Sequence, residues 1–529
     1  MIPSERYGEQ FKAGRGGAAG AALLLGLVLV TLGGVIFTVA RGSEFIRPYV
    51  LPGAATLAIA VLAPIAYLWR RGQCDVFSPI VLAGWTYFFP AFALSGLLLA
   101  SGISSPAFLD RIPDPTRDIP RAQLFIILGY IGLVAGFALP FGRTAGFAIG
   151  RRLPRLDWDP ARVMTPALVL LTFGLLLQLQ AFAMGLIGYQ HVAKASVLDA
   201  AVYFLSLTMT VALFVLWSAI FRAGRLDAFG KVVLALLLLI IPFMMVMTGS
   251  RAMPVMMVIT IGVAFWYSRS LVRWSAVFAF GLMIASALAL GIIYGTTFRE
   301  TKFAAQVEKT ATVMSTETES ATVAENRVTV AEQWTQAIEA VNEIGRRGMT
   351  KNASFASHHL AERLDTTSSL AVIVGNHERL APREREMGLT NNIWTATWTS
   401  FIPRFVWPGK PVISDLRKYG LLYYGVATSS PAITPMGDLL RNYGPWGVPI
   451  GMALLGFCLR LLYAALIEGS TPSIGRAAAY YLIISKVSYE ALYGTLFPEM
   501  TRAAVVVALS LAFIAVILFL TKRRAAARA

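Results

Sequence analysis

The chain has 529 residues, 56% hydrophobic and only 14% charged, with a mean hydropathy of +0.64. A soluble domain carries about 25% charged residues, so this balance excludes an ordinary soluble globular protein and points to the membrane. The formal charge of +17 comes with no aromatic-basic module, so it implies no nucleic-acid partner.

In chain order, apolar runs near the roughly 20 residues that a crossing helix needs occupy 18–40, 48–69, 78–101, 122–142, 163–187, 199–221, 228–248, 252–268 and 274–296. The run at 252–268 is the shortest. The first run follows Arg6, Lys12 and Arg15 but is too long for the 7–15-residue core of a cleavable signal, so it reads as a retained anchor. A long polar block, 297–435, interrupts the pattern. Three more runs (442–467, 475–497 and 503–521) complete about twelve crossings. The expected fold is all-α and polytopic: a nine-helix membrane bundle over 1–296, a large loop over 297–435 with amphipathic helices, and a three-helix bundle over 436–529. The two cysteines, Cys74 and Cys458, imply no disulfide framework.

Lys and Arg in the short connections set the orientation. With the N-terminus inside, the inner set holds Arg70, Arg71, Arg143, Arg151, Arg152, Arg155, Arg162, Arg222, Arg225, Lys231, Arg269, Arg273 and the basic tail. The outer set is smaller: Arg41, Arg47, Arg111, Arg117, Arg121, Lys194, Arg251 and Arg502. The positive-inside rule then puts both termini in the cytoplasm and the large loop outside, together with all four histidines (His191, His358, His359, His377).

Within the loop, "AEQWTQAIEAVNEIG" spaces Trp334, Ile338, Val341 and Ile344 as one helix face. "MSTETESATVAEN" is polar and Thr-rich. "SFIPRFVWPGKPVISD" contains Pro403, Pro408 and Pro411, which forbid a continuous helix, and its apolar character favours packing on the membrane helices. No internal repeat supports a pseudo-symmetric transporter.

The patch "SFIPRFVWPGKP", followed by "MGDLLRNYGPWGVPIGMALLGFCLR", resembles the bacterial oligosaccharide repeat-unit polymerases of the O-antigen and exopolysaccharide (Wzy-type) family. "TGSRAMP" is similar to that family's glycine-serine-arginine turn. The chain departs from the pattern at Asp438, where a glutamate is expected, and at Leu440, where a tyrosine is expected. The resemblance implies a GT-C-like membrane glycosyltransferase that moves a glycan from polyprenyl pyrophosphate onto a hydroxyl of an incoming lipid-linked repeat unit. It implies undecaprenyl-pyrophosphate-linked oligosaccharides and membrane lipids as partners, with a chain-length regulator and a flippase beside them, and a bacterial inner-membrane location.

Such chemistry needs cations for the pyrophosphate and a base for the acceptor hydroxyl. Arginine pairs two phosphate oxygens at once and stays charged. Arg251, Arg404, Lys410, Arg441 and Arg299 are the pyrophosphate candidates; a helix-end or interfacial anchor is the bland alternative for each. His358, His359, Asp438 and Glu378 are the base candidates, with His377 and Asp365 behind them. Arg363 beside Asp365 reads as an exposed local ion pair. Lys486 and Glu490 stand four apart in an apolar run, which on a helix lets them pair. Trp394, Trp398, Trp407, Tyr423 and Tyr424 suit sugar stacking or an interfacial belt. No metal-ligand spacing and no cofactor motif is present. An O-antigen ligase and a carrier for lipid-linked sugars are the competing readings.

Overall fold

A computed structural model describes residues 4–40, 46–104, 109–184, 197–268, 274–314, 330–400, 416–425, 432–468 and 472–526, plus isolated positions at 186–187, 402 and 407; at 4–17, 301–314 and 353–359, among others, the backbone alone is described. The described residues form helices and connections without strands. The helices are α1 (Ser4–Ala40), α2 (Leu51–Arg70), α3 (Pro79–Ala83), α4 (Ser95–Ala100), α5 (Pro115–Ala138), α6 (Pro140–Arg152), α7 (Pro160–Ala183), α8 (Val197–Ser206), α9 (Thr208–Arg222) and α10 (Ala228–Thr248). They continue as α11 (Met253–Ser268), α12 (Trp274–Met314), α13 (Val330–Leu364), α14 (Thr366–Glu386), α15 (Asn392–Ser400), α16 (Leu416–Tyr419), α17 (Pro435–Leu466), α18 (Ile474–Ile484) and α19 (Tyr493–Ala526). A π-helical stretch, Gly84–Leu94, joins α3 to α4. Starts are written in the sequence: Asp114, Asp159, Asp227 and Asp365 cap α5, α7, α10 and α14 by accepting backbone N–H bonds.

Ten helices among the described residues are long and apolar enough to cross a membrane, which makes the chain a multi-pass membrane protein. Two of the twelve expected crossings differ. The run at 252–268 yields α11, whose 16 residues rise only about 24 Å. The run at 475–497 is not one helix: α18 ends at Ile484 and α19 begins at Tyr493, with turns between them.

The bundle has two ends. α6 continues along α17 in the direction of α5, from Gly136 at Ala453 to Gly150 at Ala465. α1 meets Cys74 through Gly20, and Asp75 meets Tyr463 late in α17, so α1 starts at the end where α17 finishes. α19 begins beside Asp438, at the other end, and runs back to finish where α1 starts. Among the described residues, α14 and the start of α17 meet α5 at the opposite, loop end, through Gly375 at Asp118 and Gly129 at Met436. The tightest contact joins α5 to α17. A Cβ at Gly132 or Gly136 would collide with the carbonyls of Pro449 or Ala453, and one at Gly456 with that of Leu133. Bare glycines let the two backbones touch, which is how helices gain packing where lipid supplies no hydrophobic drive.

The polar segment is not a separate lobe. α12 runs through residue 297 unbroken for 41 residues, about 60 Å, roughly twice a membrane core. α13 packs back along it, burying Ala337 and Ala340 against Tyr294 and Phe298. The expected stripe on this helix faces the other way: Trp334, Ile338 and Val341 are exposed. That orientation suits a helix lying at the lipid–water boundary. α13 kinks at Gly348, where φ is 71°. α14 then enters the bundle, and Thr366–Val374 is buried throughout. Its Leu370 and Ile373 pack on Gly437 of α17, while Gly375 sits against Asp118 of α5.

Candidate functional site

At the loop end, Arg441 occupies the centre of a buried polar network. α17 carries Asp438 and Arg441 one turn apart; α14 contributes Glu384, and α15 contributes Asn392. Arg441 pairs with Asp438 at 2.7 Å and with Glu384 at 3.1 Å, and its side chain is 1% exposed. It also donates to Asn392 and to the Tyr419 hydroxyl, both at 2.6 Å, and to the Leu389 carbonyl at 3.1 Å. The Asp438 carboxylate accepts from Arg441, Asn392, Asn442 and the Gly494 amide. Tyr423 donates to Glu384 at 2.7 Å. Burial, and then the Glu384 charge, push the Tyr423 phenol far up, so it remains a donor.

This geometry gives Asp438 and Arg441 a different job from the expected ones. The Asp438 carboxylate is enclosed by these four donors, with no open side for an acceptor hydroxyl. A guanidinium with its donors committed has none left for a pyrophosphate. The network ties α14, α15, α17 and α19 together.

A second cluster at the same end is accessible. Glu490 lies in the break between α18 and α19, and its carboxylate pairs with Arg363 at the end of α13, 2.8 Å away. Both side chains keep exposure, 55% for Arg363 and 34% for Glu490. Two expected pairings therefore fail. Glu490 does not pair with Lys486, because α18 stops before either residue and no helix face joins them; Lys486 sits half-buried beside Thr210 and Val507. Nor does Arg363 pair with Asp365, which is turned inward as the cap of α14, bonded to Ser368 N at 2.9 Å and Ser368 Oγ at 2.7 Å. The π-helical stretch packs on the break: Tyr87 and Phe88 meet Tyr489 with ring centroids 5.3 and 4.9 Å apart. Thr434 donates its amide to the Glu490 carbonyl at 3.4 Å and holds φ at +66°, a conformation costly for a β-branched residue. A π-stretch, a broken helix and a strained threonine in one place are features that collect at functional sites.

The other expected residues are dispersed or undescribed. Arg251 packs on α12 at Gly295, with its Cγ 2.7 Å from where a Cβ would stand. Arg299 is one turn further along α12 from Gly295. His358 and His359 lie on the last turns of α13, as backbone alone. His377 is half-buried, its Nδ1 3.0 Å from the Val374 carbonyl. Glu378 is exposed on α14. Arg404, Lys410 and His191 lie outside the described residues. Trp394 and Trp398 are exposed, edge to face at 5.7 Å, as are Tyr443 and Trp446, in the manner of an interfacial belt. Tyr424 is instead buried on Ser369. Among the described residues no three His, Cys, Asp or Glu side chains converge as metal ligands do.

The sequence reading missed Glu384, Asn392 and Tyr419, and misjudged Arg363. Only the Asp438–Arg441 spacing hinted at the network; its other members come from distant elements. No protein-family model, curated protein or solved structure matches the chain.

Proposed function

We propose that the chain is a membrane glycosyltransferase of the repeat-unit polymerase kind, with a GT-C-like plan. It extends an O-antigen or exopolysaccharide from undecaprenyl-pyrophosphate-linked units at the periplasmic face of a bacterial inner membrane. The observation that carries this reading is the accessible Arg363–Glu490 pair, set where the polar segment folds into the bundle. In the proposed step, the acceptor hydroxyl gives its proton to the Glu490 carboxylate. Its oxygen bonds to the donor's anomeric carbon, and the bond from that carbon to the pyrophosphate oxygen breaks. The pyrophosphate leaves with the electron pair. Its charge is met by Arg251 and Arg299, joined by Arg404 and Lys410 from the proline-fixed segment. Arg363 holds the Glu490 carboxylate oriented. His358 and His359, on the turns of α13 just before Arg363, are the alternative base.

Purified protein given lipid-linked repeat units tests this. Glu490→Gln is expected to lower polymer formation by about 10²–10⁴-fold while melting at the parent temperature. Full-length polymer from the variant would remove Glu490 from the chemistry. Protein cations make a divalent ion dispensable, so activity is expected to survive excess chelator.

One observation favours a second reading, a carrier for lipid-linked sugars: the helix break at 485–492 with Lys486 and Glu490 in it, since broken helices with charges are a carrier's signature. A deletion strain separates the two. Single repeat units capped on lipid mark a polymerase; lipid-linked units trapped in the cytoplasm mark a carrier.

A further inference from the structure

At the end of the bundle opposite the loop lies a cavity of about 880 Å³, inside the range that holds a bound small molecule. α2 and α5 touch at the loop end, where Gln123 donates to the Val50 carbonyl at 3.0 Å. They part towards the other end. The residues left facing each other across the gap are small: Ala60 and Ala63 on α2, Ala135 and Ala138 on α5. Ala63, Tyr67, Ile131 and Ala135 line the cavity and are also exposed on the bundle surface. The cavity therefore opens sideways along the α2–α5 seam, onto a surface that lipid covers in a membrane.

The inner end is polar. Asp75 accepts from the Tyr463 hydroxyl at 2.8 Å and the Tyr267 hydroxyl at 3.0 Å through one oxygen, and from the Phe77 amide at 3.1 Å through the other. Ser78 and Tyr130 line the same cavity, with their hydroxyls set just behind its wall. Both hydroxyls are buried, and neither has a hydrogen-bond partner among the described residues. A buried hydroxyl left unpaired costs about 1–3 kcal/mol, so two behind one cavity wall mark a place where a ligand or ordered water completes the bonding. Formal charges cancel across the lining: Arg143 and Arg460 both pair with Glu468, at 3.0 and 2.8 Å, and Asp75 is the second carboxylate. Trp266 adds an aromatic wall.

We propose that this cavity binds an amphiphile with an uncharged, hydroxyl-bearing head and a single hydrocarbon chain. The head sits among Asp75, Ser78, Tyr130 and Trp266, and the chain leaves through the α2–α5 seam. Charge balance disfavours an anionic head. The unpaired hydroxyls and the carboxylate acceptor match sugar hydroxyls, which both donate and accept. The site is separate from the Arg363–Glu490 cluster and does not depend on the transfer chemistry.

The test uses the full chain in nanodiscs and dodecyl glucoside with a photoreactive group in its chain. Saturable labelling is expected on α2 and α5, within 60–68 and 130–138. Unlabelled dodecyl glucoside should displace it; dodecyl phosphocholine of the same length and free glucose should not. Tyr130→Phe and Ser78→Ala each remove one hydroxyl, and each is expected to weaken binding about five- to tenfold without lowering the melting temperature of the unliganded protein. Ala135→Trp, which blocks the seam, should abolish labelling. Equal displacement by phosphocholine would make the cavity a general lipid pocket and overturn the proposal. So would displacement by glucose alone, or undiminished binding by both hydroxyl variants. Because binding is the readout, loss of the polymerase reading leaves this result intact.

Discussion

Two carboxylates at the loop end show how burial decides what a side chain can do. Asp438 is completely buried, and every direction around it is filled by a donor. Glu490 has one ionic partner among the described residues and open surface beside it. The first ties helices together; the second stays accessible, as the proposed chemistry requires. Arg441→Met is expected to strand Asp438 and Glu384 as unpaired buried charges, at about 3–5 kcal/mol. The variant should reach the membrane poorly and melt well below the parent in detergent. A parent-like melting temperature with lost activity would instead return Arg441 to the chemistry. Asp365 supplies a pH signature. Burial, opposed by hydrogen bonds from Ser368 and the Arg47 charge, pushes it up to about 6. A carboxyl whose folded pKa is raised binds its proton more tightly in the folded chain. Its stabilising contribution is present below the ordinary aspartate value of 3.8 and is lost as pH rises through about 6. Asp365→Asn keeps an N-cap without that penalty. Its stability relative to the parent is expected to rise between pH 4 and pH 7, by an amount on the order of 2–3 kcal/mol at neutrality, read as a widening gap in melting temperature. A difference that is flat with pH would mean that Asp365 is ionised throughout.

Glycine has opposite meanings on different helices. On α5, Gly136 meets the α17 backbone directly; on α1, Gly26 has nothing within 4 Å. Gly136→Leu is expected to separate α5 from α17 and leave little folded protein. Gly26→Ala should be neutral or slightly stabilising, by up to about 1 kcal/mol, because alanine is the better helix former. Thermal melting of the two variants in one detergent checks the contrast. These elements also show what could be read in advance. Long apolar runs announce themselves, because lipid forces each crossing to satisfy its own backbone; hence α2, α5, α10 and α17 were legible. The break after Ile484 was not, since 475–497 is apolar on both sides of it and protein around the break replaces the missing helical bonds. The exposed face of α13 was legible as a stripe but not in its direction, because lipid and protein accept the same side chains. Asp75 drew no signal, and the Arg441 network only the Asp438–Arg441 spacing: Asp75 finds Tyr463 across 388 residues of chain, and Arg441 finds Asn392 across 49.

Among the described residues, α1 starts and α19 finishes at one end of the bundle, while α14 and α15 lie at the other. With the positive-inside bias, single cysteines placed at 378 and 398 are expected to react with an impermeant reagent in intact cells, and one at 225 only after permeabilisation. The native cysteines are unfavourable background: Cys74 is buried and Cys458 partly so, and burial raises the Cys74 thiol to about 12. Labelling in the reverse pattern would invert the protein and move the proposed chemistry into the cytoplasm.

The buried course of α14 bears on how the protein is made. The helices up to α12 leave the ribosome first, yet the slot between α5 and α17 that Leu370–Val374 fills can form only after the later helices exist. α14 is not itself a crossing helix, so it must reach that slot from the aqueous side. Biogenesis thus has two stages, lateral release of the long helices and then docking of α14 from the aqueous side. A full-length chain whose α14 fails to dock would keep an unfilled seam between α5 and α17.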